Sequence, residues 1–172
     1  MPKYQDLVAQ PGWLLVMTGR AWVFGDHITQ QQVLADAHLE QPAEVAKAFA
    51  MNAIDGSFAQ RVTPGDFIVA GVEFAAHATH RAVPAALKAL GIAAVIARSF
   101  GRFFLRNAIH VGLPALTVEE TGAIKNGDRL RVDIETHVVA NQSSGDRYVI
   151  RNIDEETLLT LRAGGTIERL RR

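Results

Sequence analysis

The chain contains no cysteine. It therefore has no disulfide, no thiol nucleophile and no thiolate ligand for an iron–sulfur cluster, so any such cluster belongs to a partner. It also lacks net charge, since 18 basic residues balance 18 acidic ones, and with that goes the positive field that holds proteins on nucleic acid or anionic membrane. The basic residues near the end (Arg162, Arg169, Arg171, Arg172) read as a helix C-terminal cluster or a solvated tail. No apolar run approaches the roughly 20 residues of a membrane span, and Met1 to Gly12 has no apolar h-region, so a cytoplasmic protein is expected. What is present is an ordinary globular composition, 48% hydrophobic and 21% charged, in 172 residues, which fits one domain over 1–172 around a single core.

Trp13 to Met17 and Ala21 to Phe24 read as two short strands about the turn Thr18-Gly19-Arg20, closed by Gly25-Asp26. A surface helix is predicted from Gln41, with Pro42 in its first turn. Thr63-Pro64-Gly65-Asp66 is a turn that launches the buried strand Phe67 to Gly71. Helices over Val83 to Leu90 and Gly101 to Val111, each stopped by glycine, alternate with strands at Ile92 to Ala97 and Ala115 to Val118. Strand, helix, strand, helix, strand is a parallel βαβαβ core. Leu130 to Val138 alternates polar and apolar residues and meets Tyr148-Val149-Ile150 across Asn141 to Gly145 as a hairpin, and Asp154 caps a final helix over Thr157 to Arg162.

Four stretches carry a resemblance: Gly19 to Asp26 (GRAWVFGD), Pro64 to Gly71 (PGDFIVAG), Ala86 to Ala97 (ALKALGIAAVIA), and Ser99-Phe100 through Arg106-Asn107-Ala108-Ile109 to Gly112-Leu113-Pro114. In this order and spacing the chain resembles the small subunit of 3-isopropylmalate dehydratase, the swivelling β/β/α domain of the aconitase superfamily, over roughly residues 19 to 172. The resemblance implies an α/β domain that closes over a large subunit carrying a [4Fe-4S] cluster. It also implies a serine base and arginines that orient a hydroxy polycarboxylate for dehydration.

The residues that should do this are replaced. The family's Gly-x-Gly-Ser-Ser-Arg-Glu-His falls on Ala75-Ala76-His77-Ala78-Thr79-His80-Arg81-Ala82, so Ala78 stands at the serine position and His80 at the arginine, with Arg81 one residue late. In the first loop the sequence is Gly25-Asp26-His27-Ile28-Thr29-Gln30-Gln31, with Gln31 at an acidic position, and the Pro-x-Arg of the dehydratases falls on Ala35-Asp36-Ala37. His110 replaces an asparagine after Arg106-Asn107-Ala108-Ile109.

Several residues remain as candidates. His77 and His80 are acid–base groups or anion ligands, or else loop histidines in solvent. Thr79 is a helix N-cap or a surrogate hydroxyl. Glu73 is a general base, or is solvated or paired with Arg81. His27, Gln30, Gln31, Ala78, Arg81, Arg106 and His110 complete the substrate-facing set, with Gln30 to Gln32 otherwise a polar loop and Arg102 and Arg106 otherwise structural. Phe100, Phe103, Phe104 and Leu105 read as core before ligand box. No metal site is expected, because His77, His80 and His110 lack a carboxylate at supporting spacing.

Unpaired carboxylates in a closed pocket are costly, so a site without these arginines points to a larger, less charged small molecule. The leading expectation is an enzyme of lyase or isomerase type, retasked for cofactor-independent isomerisation, elimination or cyclisation. The alternative is the small subunit of a heteromeric [4Fe-4S] hydro-lyase with altered specificity, in which the cluster is supplied by the large subunit; a third is a noncatalytic binding module. Partners are accordingly a small-molecule substrate and a large subunit or a second copy of the chain, with no nucleic acid and no membrane.

Overall fold

A computed structural model describes residues 16–171. Seven strands form one curled sheet in the order β4-β3-β2-β1-β5-β6-β7. In chain order the elements are β1 (Val16–Val23), α1 (Gln30–Val33), α2 (Ala43–Ala46), α3 (Phe58–Arg61), β2 (Phe67–Val69), α4 (Ala82–Leu90), β3 (Ala94–Ala97), α5 (Arg102–Val111), β4 (Ala115–Thr117), β5 (Arg129–Asp133), β6 (Val138–Asn141), β7 (Arg147–Val149), α6 (Glu155–Ala163) and α7 (Thr166–Leu170). Strands β1 to β4 pair in parallel, and β5 to β7 continue as an antiparallel meander on the other side of β1. The fold is α/β, with the expected βαβαβ unit running from β2 to β4.

Side-chain alternation along the parallel strands divides the core. Ile68, Val95 and Ala97 face the helices, where they join Leu87, Phe104 and Leu113. Phe67, Val69, Ala94 and Ile96 face into the curl, against Leu130, Val132 and Val139 of the meander. The single core read from composition is therefore two cores, one on each face of the sheet. The curl brings the two ends of the sheet together: Arg151 N–H donates to Thr117 O (2.8 Å), Asn152 Oδ1 accepts Thr117 N–H (2.8 Å), and Asn152 Nδ2 donates to Ala115 O (2.9 Å).

Three local expectations are corrected. Residues 18–20 do not turn: β1 runs unbroken from Val16 to Val23, and the part of the first predicted strand before Val16 lies outside the described residues. Gly19 is there for proximity, since a Cβ on it would collide with the carbonyl of Gly65 in the turn before β2. That turn is locked by buried Asp66, whose Oδ2 accepts from Trp22 Nε1 and Thr63 N–H, both at 2.9 Å. The helix from Gln41 is the single turn α2 followed by a 3₁₀ segment over Lys47–Phe49.

The predicted C-terminal hairpin is three strands, because the chain reverses again at 134–137. Asp133 Oδ1 accepts Thr136 N–H there, and His137 takes a left-handed φ of 62°. The final helix forms as expected, with Asp154 accepting from Thr157 N–H and Gly164 closing it, and α7 follows.

Candidate active site

The chain leaves the carboxyl ends of β1, β2 and β3 as three loops, the place where parallel sheets carry their ligands. Hydrogen bonding continues past the strands and ties the loops together. His27 N–H donates to Val72 O (2.8 Å), Ala75 N–H to Ile28 O (2.7 Å), Phe74 N–H to Ser99 O (3.0 Å) and Gly101 N–H to Phe74 O (2.9 Å). Two side chains reinforce this: Asp26 Oδ1 accepts Val72 N–H (2.8 Å) and Ser99 Oγ accepts Glu73 N–H (2.7 Å). Sequence reasoning gave neither residue a site role. The signal was present in both, since Asp26 and Ser99 stand at the mouths of the first and third loops.

The frame holds four non-glycine residues in the left-handed region: His27 (φ 55°), Glu73 (57°), Ala75 (55°) and His77 (66°). Such a conformation costs an L-residue roughly 1–2 kcal/mol. Ala75 and His77 stand where the Gly-x-Gly run has its glycines, and both are left-handed here although neither is the residue suited to that conformation.

His27, Glu73, His77 and Thr79 all lie exposed on this face. Ala78, at the serine position, is buried (1% exposed) within the helix-side core. Beneath it Phe74, Phe100 and Phe104 pack ring to ring with centroids 5.3 to 6.1 Å apart, so Phe100 and Phe104 are a supporting wall of the core. Phe103 is exposed, with the Arg106 guanidinium 5.3 Å above its ring.

The N-cap reading of Thr79 is corrected. The acceptor at the start of α4 is His80, whose Nδ1 takes Ala82 N–H at 3.0 Å while its Nε2 lies 3.3 Å from Glu40 Oε1. Thr79 contributes its carbonyl, which accepts from Asn107 Nδ2 (3.0 Å), so Asn107 pins the loop to α5. Glu73 and Arg81 do not form an ion pair. The glutamines hold their own loop: Gln32 completes a capping box with Thr29, Gln30 Nε2 donates to Leu34 O (2.7 Å), and Gln31 Oε1 accepts Asp36 N–H (3.2 Å).

Arg106 and His110 are not brought to these loops. They are four residues apart on one face of α5, whereas Asn107, a turn of about 100° away, is the residue that faces the loop. Arg106 and His110 line a cavity of about 340 Å³ against Asn152 and Thr157. His110 also lines a second cavity, of about 470 Å³, with Arg81, Lys88 and Gly164. There Lys88 Nζ donates to Val111 O (2.6 Å) and Gly164 O (3.3 Å), at the ends of α5 and α6, and burial lowers its pKa. Among the described residues no group of three His, Cys, Asp or Glu is placed to hold a metal ion, and with no thiolate the chain does not fit an iron–sulfur cluster.

Comparison with known proteins decides the family. The model of the aconitase C-terminal domain matches residues 24–121. The 3-isopropylmalate dehydratase small subunit 1 of Archaeoglobus fulgidus is 41% identical over 152 residues, covering 87% of this chain and 94% of the relative. The corresponding small subunit of Nautilia profundicola is 39% identical over 88% of this chain and 92% of its own.

This chain belongs to the 3-isopropylmalate dehydratase small-subunit family.

A crystal structure of 3-isopropylmalate dehydratase from Methanocaldococcus jannaschii agrees, with a TM-score of 0.86 and 31% identity over 91% of this chain and 93% of that one. The match to small subunits along nearly their whole length favours the two-chain reading over retasking for stand-alone chemistry. No helix among the described residues is long and apolar enough to cross a membrane.

Proposed function

We propose that the chain is the cluster-free small subunit of a two-chain hydro-lyase of the 3-isopropylmalate dehydratase class, acting on a hydroxy acid with fewer carboxylates than the usual substrate. One observation carries the reading: the candidate residues His27, Glu73, His77 and Thr79 sit on an open face at the strand ends. Proton abstraction next to a carboxylate needs water excluded and reactants fixed, and a second chain closing on this face supplies both. The cluster belongs to that chain.

The division of labour follows from which side chains are already occupied. Ala78 has no ionisable group and is buried. His80 spends Nδ1 on Ala82 N–H. Glu73 and His77 are the acid–base candidates that remain, on the stretch held by Ser99 and Asp26. The missing arginines at the His80 and Ala37 positions remove bidentate clamps, which lowers the number of carboxylates the site can neutralise.

The test is to purify the chain with and without a cluster-bearing large subunit under anaerobic conditions and assay dehydration of 3-isopropylmalate and of analogues lacking one carboxylate. A stable complex is expected, with turnover only in the mixture and a preference for the less charged analogue. In that complex His77→Ala should lower turnover on the order of 10²-fold or more. Turnover by the chain alone, or no complex with the large subunit, would overturn the reading.

A further inference from the structure

Of the histidines, only His80 has both ring nitrogens engaged among the described residues, Nδ1 with Ala82 N–H at 3.0 Å and Nε2 with Glu40 Oε1 at 3.3 Å. Those bonds fix its protonation state. A backbone N–H only donates, so Nδ1 presents its lone pair and the single ring proton sits on Nε2, aimed at the carboxylate. His80 also holds the whole start of α4. Its ring takes Ala82 N–H, its carbonyl accepts Val83 N–H (3.2 Å), and Pro84 has no N–H to place.

An imidazolium cannot make the Ala82 bond, because both of its nitrogens carry protons. Protonation therefore exchanges the cap for an ion pair: the helix start repels the cation and Glu40 attracts it. The other charged groups on the surrounding elements are balanced or turned elsewhere. On α2 and the 3₁₀ turn that pack against α4, Glu44 and Lys47 pair at 2.7 Å, and Lys88 of α4 reaches the Val111 and Gly164 carbonyls. On the segment before α2, Asp36 accepts from Gln30 Nε2 (3.2 Å) and His38 Nδ1 bonds Gln41 Oε1 (2.8 Å). From α5 the uncharged Asn107 meets this loop. The loop's own ionisable groups besides His80 are Glu73, His77 and Arg81, none of them in an ion pair with a described residue.

We propose that His80 is a proton-operated latch on the site. Neutral, it ties the end of the 73–80 loop to α4; protonated, it lets go of Ala82 N–H and is left to Glu40, and the loop slackens as the medium turns acid. The loop has reason to move once released, since Glu73, Ala75 and His77 all hold a left-handed φ against local preference. The remaining side-chain tie at this end, from Asn107 Nδ2 to Thr79 O, contains no ionisable group, so the pH sensitivity lies in His80. The latch is a property of this chain; only its effect on turnover rests on the two-chain reading.

The test uses the full chain labelled with ¹⁵N. The ring nitrogens of His77 and His80 are followed separately, with the amides of Thr79, Ala82 and Val83, while pH is lowered from about 8 to about 5, the range in which histidine changes charge. The Nε2–H tautomer of His80 is expected at the upper end, and the Ala82 and Val83 amides should shift together with the His80 ring. Exchange protection of Ala82 N–H, corrected for the intrinsic rate, should fall about three- to thirtyfold across that step, as for loss of a cap. In His80→Asn, whose amide oxygen accepts without titrating, the step should vanish. An Nδ1–H tautomer at the upper end, an Ala82 amide indifferent to the His80 titration, or a step that survives in His80→Asn would each overturn the proposal. In the two-chain assay the acid-side fall in turnover should be shallower for His80→Asn. An unchanged acid limb with the Ala82 step present would overturn the latch's control of the site, whereas no complex with the large subunit would remove the functional reading alone.

Discussion

His77 gives the most direct access to the energetics of the site, because it is exposed, makes no side-chain hydrogen bond with a described residue, and holds φ at 66°. Replacing it with glycine removes the Cβ that makes this conformation unfavourable, a relief of roughly 1–2 kcal/mol. Glycine also loses more freedom on folding, which returns about 0.5–1 kcal/mol. The expected net gain for His77→Gly is therefore about 0.5–1 kcal/mol. In a chain of this size each kcal/mol moves the midpoint by about 2–4 °C, so Tm should rise by roughly 1–4 °C. Urea denaturation should show a higher midpoint at unchanged slope, since no compactness is altered. The control is Ala76→Gly, one residue earlier and not left-handed, where only the entropic cost applies and stability should fall. Equal effects at 76 and 77, or a destabilised His77→Gly, would refute the claim that the loop is held against its local preference. A stabilised variant with reduced turnover in the two-chain assay would show that the strain positions residue 77 for its task.

Other consequences follow from single contacts. His80→Ala removes the acceptor for Ala82 N–H and should cost about 0.5–2 kcal/mol in urea denaturation, as for loss of a cap, with much of it recovered in His80→Asn. Lys88→Met leaves the Val111 and Gly164 carbonyls without their cation and should cost about 1.5–3 kcal/mol. Because burial lowers the Lys88 pKa below its ordinary 10.5, the unfolded chain binds this proton more readily between those two values. Its contribution to stability therefore rises with pH across that window, and the rise should vanish in Lys88→Met. The hydrogen bond from Thr157 N–H holds the Asp154 carboxyl below its usual range, so this cap stabilises above the ordinary aspartate pKa and is lost as pH falls through the folded value. Asp154→Asn should flatten that acid limb in pH-dependent melting.

The parallel half was legible because each of its elements has a local cause. Short apolar runs bounded by turns gave β2, β3 and β4, and Gly91 and Gly112, at φ of 100° and 83°, stop α4 and α5 where the sequence placed them. What escaped was set by contacts distant in sequence. Gly19 looks like a turn until Gly65 is seen against it. The reversal at Asp133 to His137 contains no glycine or proline, and its mechanism is one aspartate bond and one left-handed histidine. At the site the loops and their order were readable, but side-chain direction was not. His80 bends its Nδ1 to the first N–H of α4, whereas Arg106 and His110 leave the loops because Asn107 occupies the facing position on α5.

The replacements in the second loop have a common physical logic. An arginine has only donors and can clamp a carboxylate but never accept a backbone N–H. A histidine can accept, and His80 does so at Ala82, joining the loop to α4 and reaching Glu40 on the neighbouring segment. The change thus converts a position suited to an anion into one that stabilises the chain's own backbone. Ala78 acts in the same direction: its methyl is buried in the apolar core, where an unbonded hydroxyl would cost about 1–3 kcal/mol. Yet Glu73, Ala75 and His77 all hold a left-handed φ, although nothing in these side chains favours it. A loop shaped only for stability would carry glycine or a relaxed path at these positions, so the strain argues that the shape of this face has a surface to fit.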